Sequence, residues 1–242
     1  MNEIAIISDI HGNLPALDAA LDDIARRGIR QIYCLGDLVG YYGFFNEVTE
    51  RINQLKIPTI LGNHDDALVN NHGEIKRSKT CTRILKWQLE HMSTATEIFL
   101  KSLPTKMEIQ FGGKSLKFVH AGLIDSLDEY IFDVNDEYLR NNGFKHDVLI
   151  TGHTHLISYK KLFSGKIWLN PGSVGQSRDC DNRLSYLVIN NAFDVEFVRI
   201  TYDYMKVVNA MKKNGFEDYI SETLISGKKI GYNNIITSQF DK

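Results

Sequence analysis

Apolar positions along the chain change period twice. Residues 3–8 are a short Ile-rich run, and a continuous apolar run of that length predicts a buried strand. Asn13 and Pro15 then give an N-cap and a first helical turn, and Leu14, Leu17, Leu21 and Ile24 form a helical stripe that ends near Gly28. The pattern repeats: a strand over 31–35, a helix over 46–55, and a strand over 58–61. Three strand–loop–helix units in succession predict parallel pairing. Residues 66–103 read as mostly helical. Period-two segments follow at 105–111, 114–119, 147–150, 156–162, 166–170, 184–190 and 194–200, with turn residues at Gly112-Gly113, Phe163-Ser164-Gly165 and Asn190-Asn191. A helix over 203–213 is expected to stop near Gly215, and the polar stretch from about 226 carries no pattern. The expected organisation is a single α/β domain over 1–242 with a helical insertion at about 66–103.

Composition narrows the function classes. The 242 residues are 43% apolar and 24% charged, with a formal charge of -2. These are values of a globular protein, and no basic field is present for a polyanion, so a dedicated nucleic-acid surface is not expected. Cys34, Cys81 and Cys180 are scattered and odd in number, so neither a disulfide framework nor a thiolate metal site follows. The start is too short and acidic for a signal peptide, and no apolar run reaches membrane-spanning length. A cytoplasmic protein is expected.

The chemistry sits where strands are predicted to end. Asp9-x-His11, Gly36-Asp37, Gly62-Asn63-His64-Asp65, His120-Ala121-Gly122 and Gly152-His153-Thr154-His155 each follow a strand. In open α/β sheets, ligands bind beyond the carboxyl ends of strands, so such loops converge. Five of the eight histidines lie in these motifs; His72, His91 and His146 read as surface residues. An Asp/His/Asn set without thiolate suits borderline divalent metals: Mn²⁺ or Fe, with Zn²⁺ and Ni²⁺ as alternatives. Asp9/His11 and His153/His155 are spaced i, i+2, which in an extended segment turns both side chains to one side. A carboxylate such as Asp37 has two oxygens and can bridge two metals about 3.5–4 Å apart, the spacing that clamps an in-line displacement at phosphorus.

These five blocks resemble the signature of the calcineurin-like metallophosphoesterase superfamily. A sixth segment, Asn170 to Gln176 (Asn-Pro-Gly-Ser-Val-Gly-Gln), resembles its small prokaryotic phosphodiesterase/phosphatase branch. The resemblance implies a four-layered α/β/β/α sandwich of two mixed sheets. It implies that Asp9, His11 and His155 bind one metal, that Asn63, His120 and His153 bind a second, and that Asp37 bridges. A metal-bridging hydroxide would then hydrolyse a small phosphomono- or phosphodiester. His64 would protonate the leaving group, with Asp65 holding its imidazole. One departure counts. Where protein Ser/Thr phosphatases and dinucleoside tetraphosphatases carry Gly-Asp-x-Val-Asp-Arg-Gly, this chain has Gly36-Asp37-Leu38-Val39-Gly40-Tyr41-Tyr42. Their phosphate-gripping arginine is missing. Arg178 is the candidate replacement, Tyr41 is a candidate stacking surface for a base or aryl group, and Asn13 is a candidate anion contact at a helix start. The alternatives are a nucleotide or dinucleoside polyphosphate hydrolase, a protein Ser/Thr phosphatase, a nuclease, and a non-catalytic scaffold. His64 with the full ligand set argues against the scaffold.

Overall fold

A computed structural model describes residues 2–70, 79–216 and 218–228. Among them the strands are β1 (Glu3–Ile7), β2 (Gln31–Cys34), β3 (Lys106–Phe111), β4 (Lys114–Val119), β5 (Val148–Ile150), β6 (Ile157–Lys161), β7 (Ile167–Pro171), β8 (Leu184–Asn190) and β9 (Val195–Ile200). The helices are α1 (Leu14–Arg26), α2 (Phe45–Gln54), α3 (Asn63–Val69), α4 (Lys79–His91), α5 (Thr94–Lys101), α6 (Asp136–Asn141), α7 (Tyr204–Lys213) and α8 (Asp218–Ser226).

The strands form two mixed sheets. One has the order β2-β1-β8-β9, with β1 parallel to β2 and the other neighbours antiparallel. The second has the order β3-β4-β5-β7-β6, with β4, β5 and β7 parallel and β3 and β6 antiparallel at the edges. Alternation along the strands builds the layers. In β1, Ala5 and Ile7 face the α1–α2 side, while Ile4 and Ile6 face the second sheet. There they meet Leu116, Phe118, Val148, Ile150 and Leu169. Leu149 and Trp168 point the other way, onto Leu139 of α6 and Phe144. Helix, sheet, sheet and helix are therefore stacked over three apolar seams, the expected sandwich. β1 reads as one unbroken apolar run because both its faces are covered.

Several expectations change. Residues 58–61 make only a single bridge, Thr59 opposite Cys34. The chain cannot continue alongside β2, because Leu61 already donates to the Pro104 carbonyl instead. Two parallel strands, not three, thus carry the first motifs. The 66–103 stretch is helical where described, in the end of α3 and in α4 and α5; residues 71–78, with His72, lie outside the described residues. Helices α6 and α8 were not expected, and both are too short for a strong periodicity. The polar tail is described only to residue 228. The cysteines are free, with Cys34 and Cys81 buried and Cys180 exposed. His91 stacks on Trp87 and His146 pairs with Glu108. Among the described residues no helix is long and apolar enough to cross a membrane.

Leu169 is fully buried in the seam between the sheets. Leu169→Ala should cost about 2–5 kcal/mol, the lost transfer energy plus a cavity. Urea denaturation measures it, and a loss below about 1 kcal/mol would mean the seam collapses around the gap.

Candidate metal centre

The loops after β1 and β2 are zippered together. Ile10 and His11 donate their N–H groups to the Asp37 carbonyl at 2.9 and 2.8 Å, Gly12 donates to Leu38, and Asp9 donates to Gly36. The two loops therefore turn as one. Asp9, His11 and Asp37 all have φ between 53° and 55°, and His153 and His155 have 65° and 62°. This corrects the extended geometry assumed for the i, i+2 pairs. The side chains converge because the backbone enters the left-handed region, which is unfavourable for non-glycine residues and recurs at functional sites.

Asp37 stands at the middle of two groups of buried side chains. Ligand-type atoms of Asp9, His11, Asp37 and His155 lie within 4.8 Å of one another, and so do those of Asp37, His120 and His153. Asn63 Oδ1 is 3.2 Å from His120 Nε2. The imidazoles are held from behind: Nδ1 of His11 donates to Val39 O, that of His120 to Leu35 O, and that of His155 to Gln176 O. A carbonyl can only accept, so each Nδ1 carries a hydrogen and each Nε2 faces the centre, with a lone pair free wherever the ring is neutral.

This arrangement fits a cation. His11 Nε2 and His155 Nε2 face each other at 3.0 Å, two lone pairs with no donor between them. His153 Nε2 is buried with no hydrogen-bond partner among the described residues. Burial pushes His11 and His153 down to about 3 and holds His155 well below the ordinary histidine range, so these rings are neutral. Burial also opposes charge on His120, but the Asp37 carboxylate 3.4 Å away lifts it to about 9. The same contact, with His64 and His11, outweighs burial at Asp37 and holds it well below the usual carboxylate range. Burial raises Asp9, whose carboxylate accepts from Ser8 Oγ and from the His153 backbone N–H.

The remaining expected residues divide. His64 is buried at the start of α3, donates its backbone N–H to Asp37 Oδ1 at 2.8 Å, and lies 4.8 Å from the His11 ring. Its Nδ1 is 3.8 Å from Cys81 Sγ. Asp65 departs from its expected role of holding that imidazole. Its Oδ1 accepts from Leu38 N and Val39 N at 2.9 and 3.1 Å, and its Oδ2 accepts from Gly62 N at 3.0 Å. It pins the Asp37 loop to the Asn63 loop, and burial beside Asp37 raises it to about 7. Asn13 is the expected N-cap and not an anion contact. Its Oδ1 caps α1 at Ala16 N, and its Nδ2 is used on Gly175 O and Tyr202 Oη, so no donor is left for an anion. Tyr41 lies edge-on to His11 at 4.7 Å, and Arg178 donates to its hydroxyl. Arg178 Nε is buried with no partner among the described residues.

Sequence reasoning missed three residues. Asp128 accepts from Asn63 Nδ2 at 3.1 Å and lies 3.7 Å from His153 Nε2. Gln88, fully buried in α4, accepts from Gly40 N and donates to Tyr42 O. Gln176 supplies its carbonyl to His155. All three act across long sequence separations, and none carries a local motif beyond the Gly-Ser-Val-Gly-Gln run.

A model of the calcineurin-like phosphoesterase superfamily domain matches residues 2–192. The chain belongs to that superfamily. The uncharacterized protein MJ0912 of Methanocaldococcus jannaschii is 36% identical over 241 residues, covering 93% of this chain and 98% of that protein. A metallophosphoesterase from Sphaerobacter thermophilus is 28% identical, with 93% and 99% of the two chains covered and a TM-score of 0.79. The hypothetical protein PH1004 of Pyrococcus horikoshii OT3 shares the fold at 20% identity and TM-score 0.85, covering 95% and 100%. Membership points to phosphoester hydrolysis with metal dependence, and the buried Asp/His groups are candidate metal ligands.

Gly152 lets the two sheets meet at this centre. A Cβ there would stand 2.2 Å from Ser8 Oγ and 2.8 Å from Asp9 Oδ2. Gly152→Ala should therefore push the β5 loop off the β1 loop, lowering stability by about 1–3 kcal/mol. Calorimetry and metal analysis of the same sample check it; an unshifted melting temperature with full metal content would show that the junction has slack.

Proposed function

We propose that this protein is a dinuclear metal-dependent phosphoesterase acting on small phosphomono- or phosphodiesters. The observation that carries the reading is the sharing of Asp37 by two buried ligand groups. Asp9, His11 and His155 would hold one cation, Asn63, His120 and His153 the other, with Asp37 bridging. The donor chemistry suits Mn²⁺ or Fe, with Zn²⁺ and Ni²⁺ as alternatives. Two bound divalent cations supply Lewis-acid charge to the phosphoryl oxygens and to the attacking water.

The chain's own residues supply the rest. His64 faces the same space as the His11 ring and carries the proton for the departing ester oxygen. Its backbone N–H on Asp37 fixes where the imidazole starts. Arg178 provides a cation for a phosphoryl oxygen, with Tyr41 and Gln176 Oε1 holding its Nη2. Asp65 keeps the Asp37 and Asn63 loops in register.

The test pairs p-nitrophenyl phosphate with its bis-ester, on chelated protein reloaded separately with Mn²⁺, Fe²⁺, Ni²⁺ and Zn²⁺. Turnover of at least one ester is expected. His64→Ala should keep its metal, by elemental analysis, and lose about 10²–10⁴-fold in kcat. Inactivity of the parent with every metal overturns the reading, and full turnover in the variant overturns the role of His64.

Metal uptake should also depend on pH. His120 is held protonated up to about 9 by Asp37, and a cation must displace that proton to reach Nε2. Affinity should rise as pH rises toward that value, with net proton release on binding below it. Calorimetry in buffers of different ionisation enthalpy counts the protons; none released at neutral pH would argue against His120 as a ligand.

A further inference from the structure

Asn63 differs from the histidines around it, because its side-chain amide has two unlike ends. Turned one way it offers a carbonyl oxygen to the centre; turned the other way it offers N–H groups, which repel a cation. His11, His120 and His155 are oriented by backbone carbonyls. Asn63, buried at the start of α3, is oriented by a side chain. Its Nδ2 donates to Asp128 Oδ1 at 3.1 Å, and its Oδ1 lies on the inner side, 3.2 Å from His120 Nε2.

The chemistry of that partner matters. A hydroxyl or an amide can donate or accept, and it would tolerate either end of Asn63. A carboxylate can only accept. With the Asn63 amide reversed, its Oδ1 would face Asp128 Oδ1, acceptor against acceptor, and its N–H groups would point at the ligand group. Only one orientation puts N–H on the carboxylate and oxygen toward the centre. The loop holds Asp128 in place without using its carboxylate. Leu127 N and Asp128 N donate to Asp125 Oδ1 at 2.9 and 3.2 Å, and Ile124 N and Tyr138 Oη donate to Glu129 Oε2 at 2.9 and 3.0 Å. Ala121 N and Gly122 N donate to Ser126 O and Asp125 O, directly after His120. The loop that follows one candidate ligand thus delivers the support of another.

We propose that Asp128 is a positioning residue for the second cation, fixing the Asn63 amide with its oxygen toward the site shared with His120 and His153. The proposal rests on the dinuclear reading above and assigns the support of one of its two sites. Hydrogen-bonded supports of a metal ligand contribute about 10–100-fold in metal affinity, because they remove the ligand's alternative orientations before the ion arrives. Asn63 belongs to the second group, and Asp128 Oδ1 also lies 3.7 Å from His153 Nε2 of that group. The effect of Asp128 therefore falls on the second site, while the first keeps its backbone-held imidazoles of His11 and His155.

The test is Mn²⁺ titrated into the chelated full-length protein, followed by calorimetry for each site's affinity and by electron paramagnetic resonance, in which an adjacent Mn²⁺ pair gives a coupled signal distinct from that of isolated ions. The parent should bind two Mn²⁺ and develop the coupled signal. Asp128→Ala should bind one Mn²⁺ as the parent does and the other about tenfold or more weakly, with the coupled signal delayed to higher Mn²⁺. Asp128→Asn keeps an acceptor for Asn63 Nδ2 and should lose less than about threefold at that site. Unchanged affinity at both sites in Asp128→Ala overturns the role of Asp128 alone. So does an equal fall at both sites, the mark of general damage, or an Asp128→Asn variant as weak as Asp128→Ala, which would make charge and not orientation the cause. A parent that binds fewer than two ions removes the dinuclear reading and this role with it.

Discussion

Asp9 and Asp37 lie buried at the ends of two hydrogen-bonded parallel strands, and the repulsion between them organises everything around them. Asp37 raises the cost of ionising Asp9, on top of burial. Such a pair persists only where positive charge and donors are supplied from every side. The chain supplies backbone N–H groups from His64 and His153, a hydroxyl from Ser8, and imidazoles that present Nε2 inward. What the carboxylates still lack is cationic charge, and His120 meets part of that demand by holding a proton. The donor set of a candidate metal centre and the electrostatic need of two buried carboxylates are thus one feature.

Holding these groups in place costs backbone strain. Five of the expected ligands adopt left-handed backbone conformations that side chains other than glycine seldom occupy. The surroundings fix them there. The Asp37 carbonyl takes two N–H groups from the Asp9 loop, Asp65 pins Leu38 and Val39 to Gly62, and Gln88 ties Gly40 to Tyr42. Gly152 and Gly40 stand where a Cβ would collide, with Ser8 Oγ and with His64 Nδ1 at 2.4 Å. The stiffness of the site comes from these crossings between loops, and the two sheets meet through them.

The two flanks of the centre differ in what lines them. On the His11 side, Tyr41, Arg178 and Gln176 close over the candidate ligands, with Arg178 Nε buried and without a partner among the described residues. On the His153 side, the Tyr130 ring lies 4.2 Å from that of His153 and Asp128 lies 3.7 Å from its Nε2.

The sequence by itself determined the family, the sandwich and the residues that meet. Period-two runs and glycine-bearing turns locate β3 to β9, because cross-strand pairing and burial act on neighbours in the chain. The ligand motifs are legible because a strand end plus Asp, His or Asn is a local signature, and the positions of Asp9, Asp37, His120 and His153 follow from it. Only tertiary structure decided how they converge. The left-handed turns replaced the extended geometry that spacing suggests, since zippering to a second loop outweighs local preference. Residues with no local signature needed it too. Asp128 and Gln88 gain meaning only from partners far along the chain, and the motif residue Asp65 gives its hydrogen bonds to Leu38, Val39 and Gly62, a choice that no spacing reveals. Hydrogen-bond partners are properties of surroundings, and surroundings do not exist until the loops have closed.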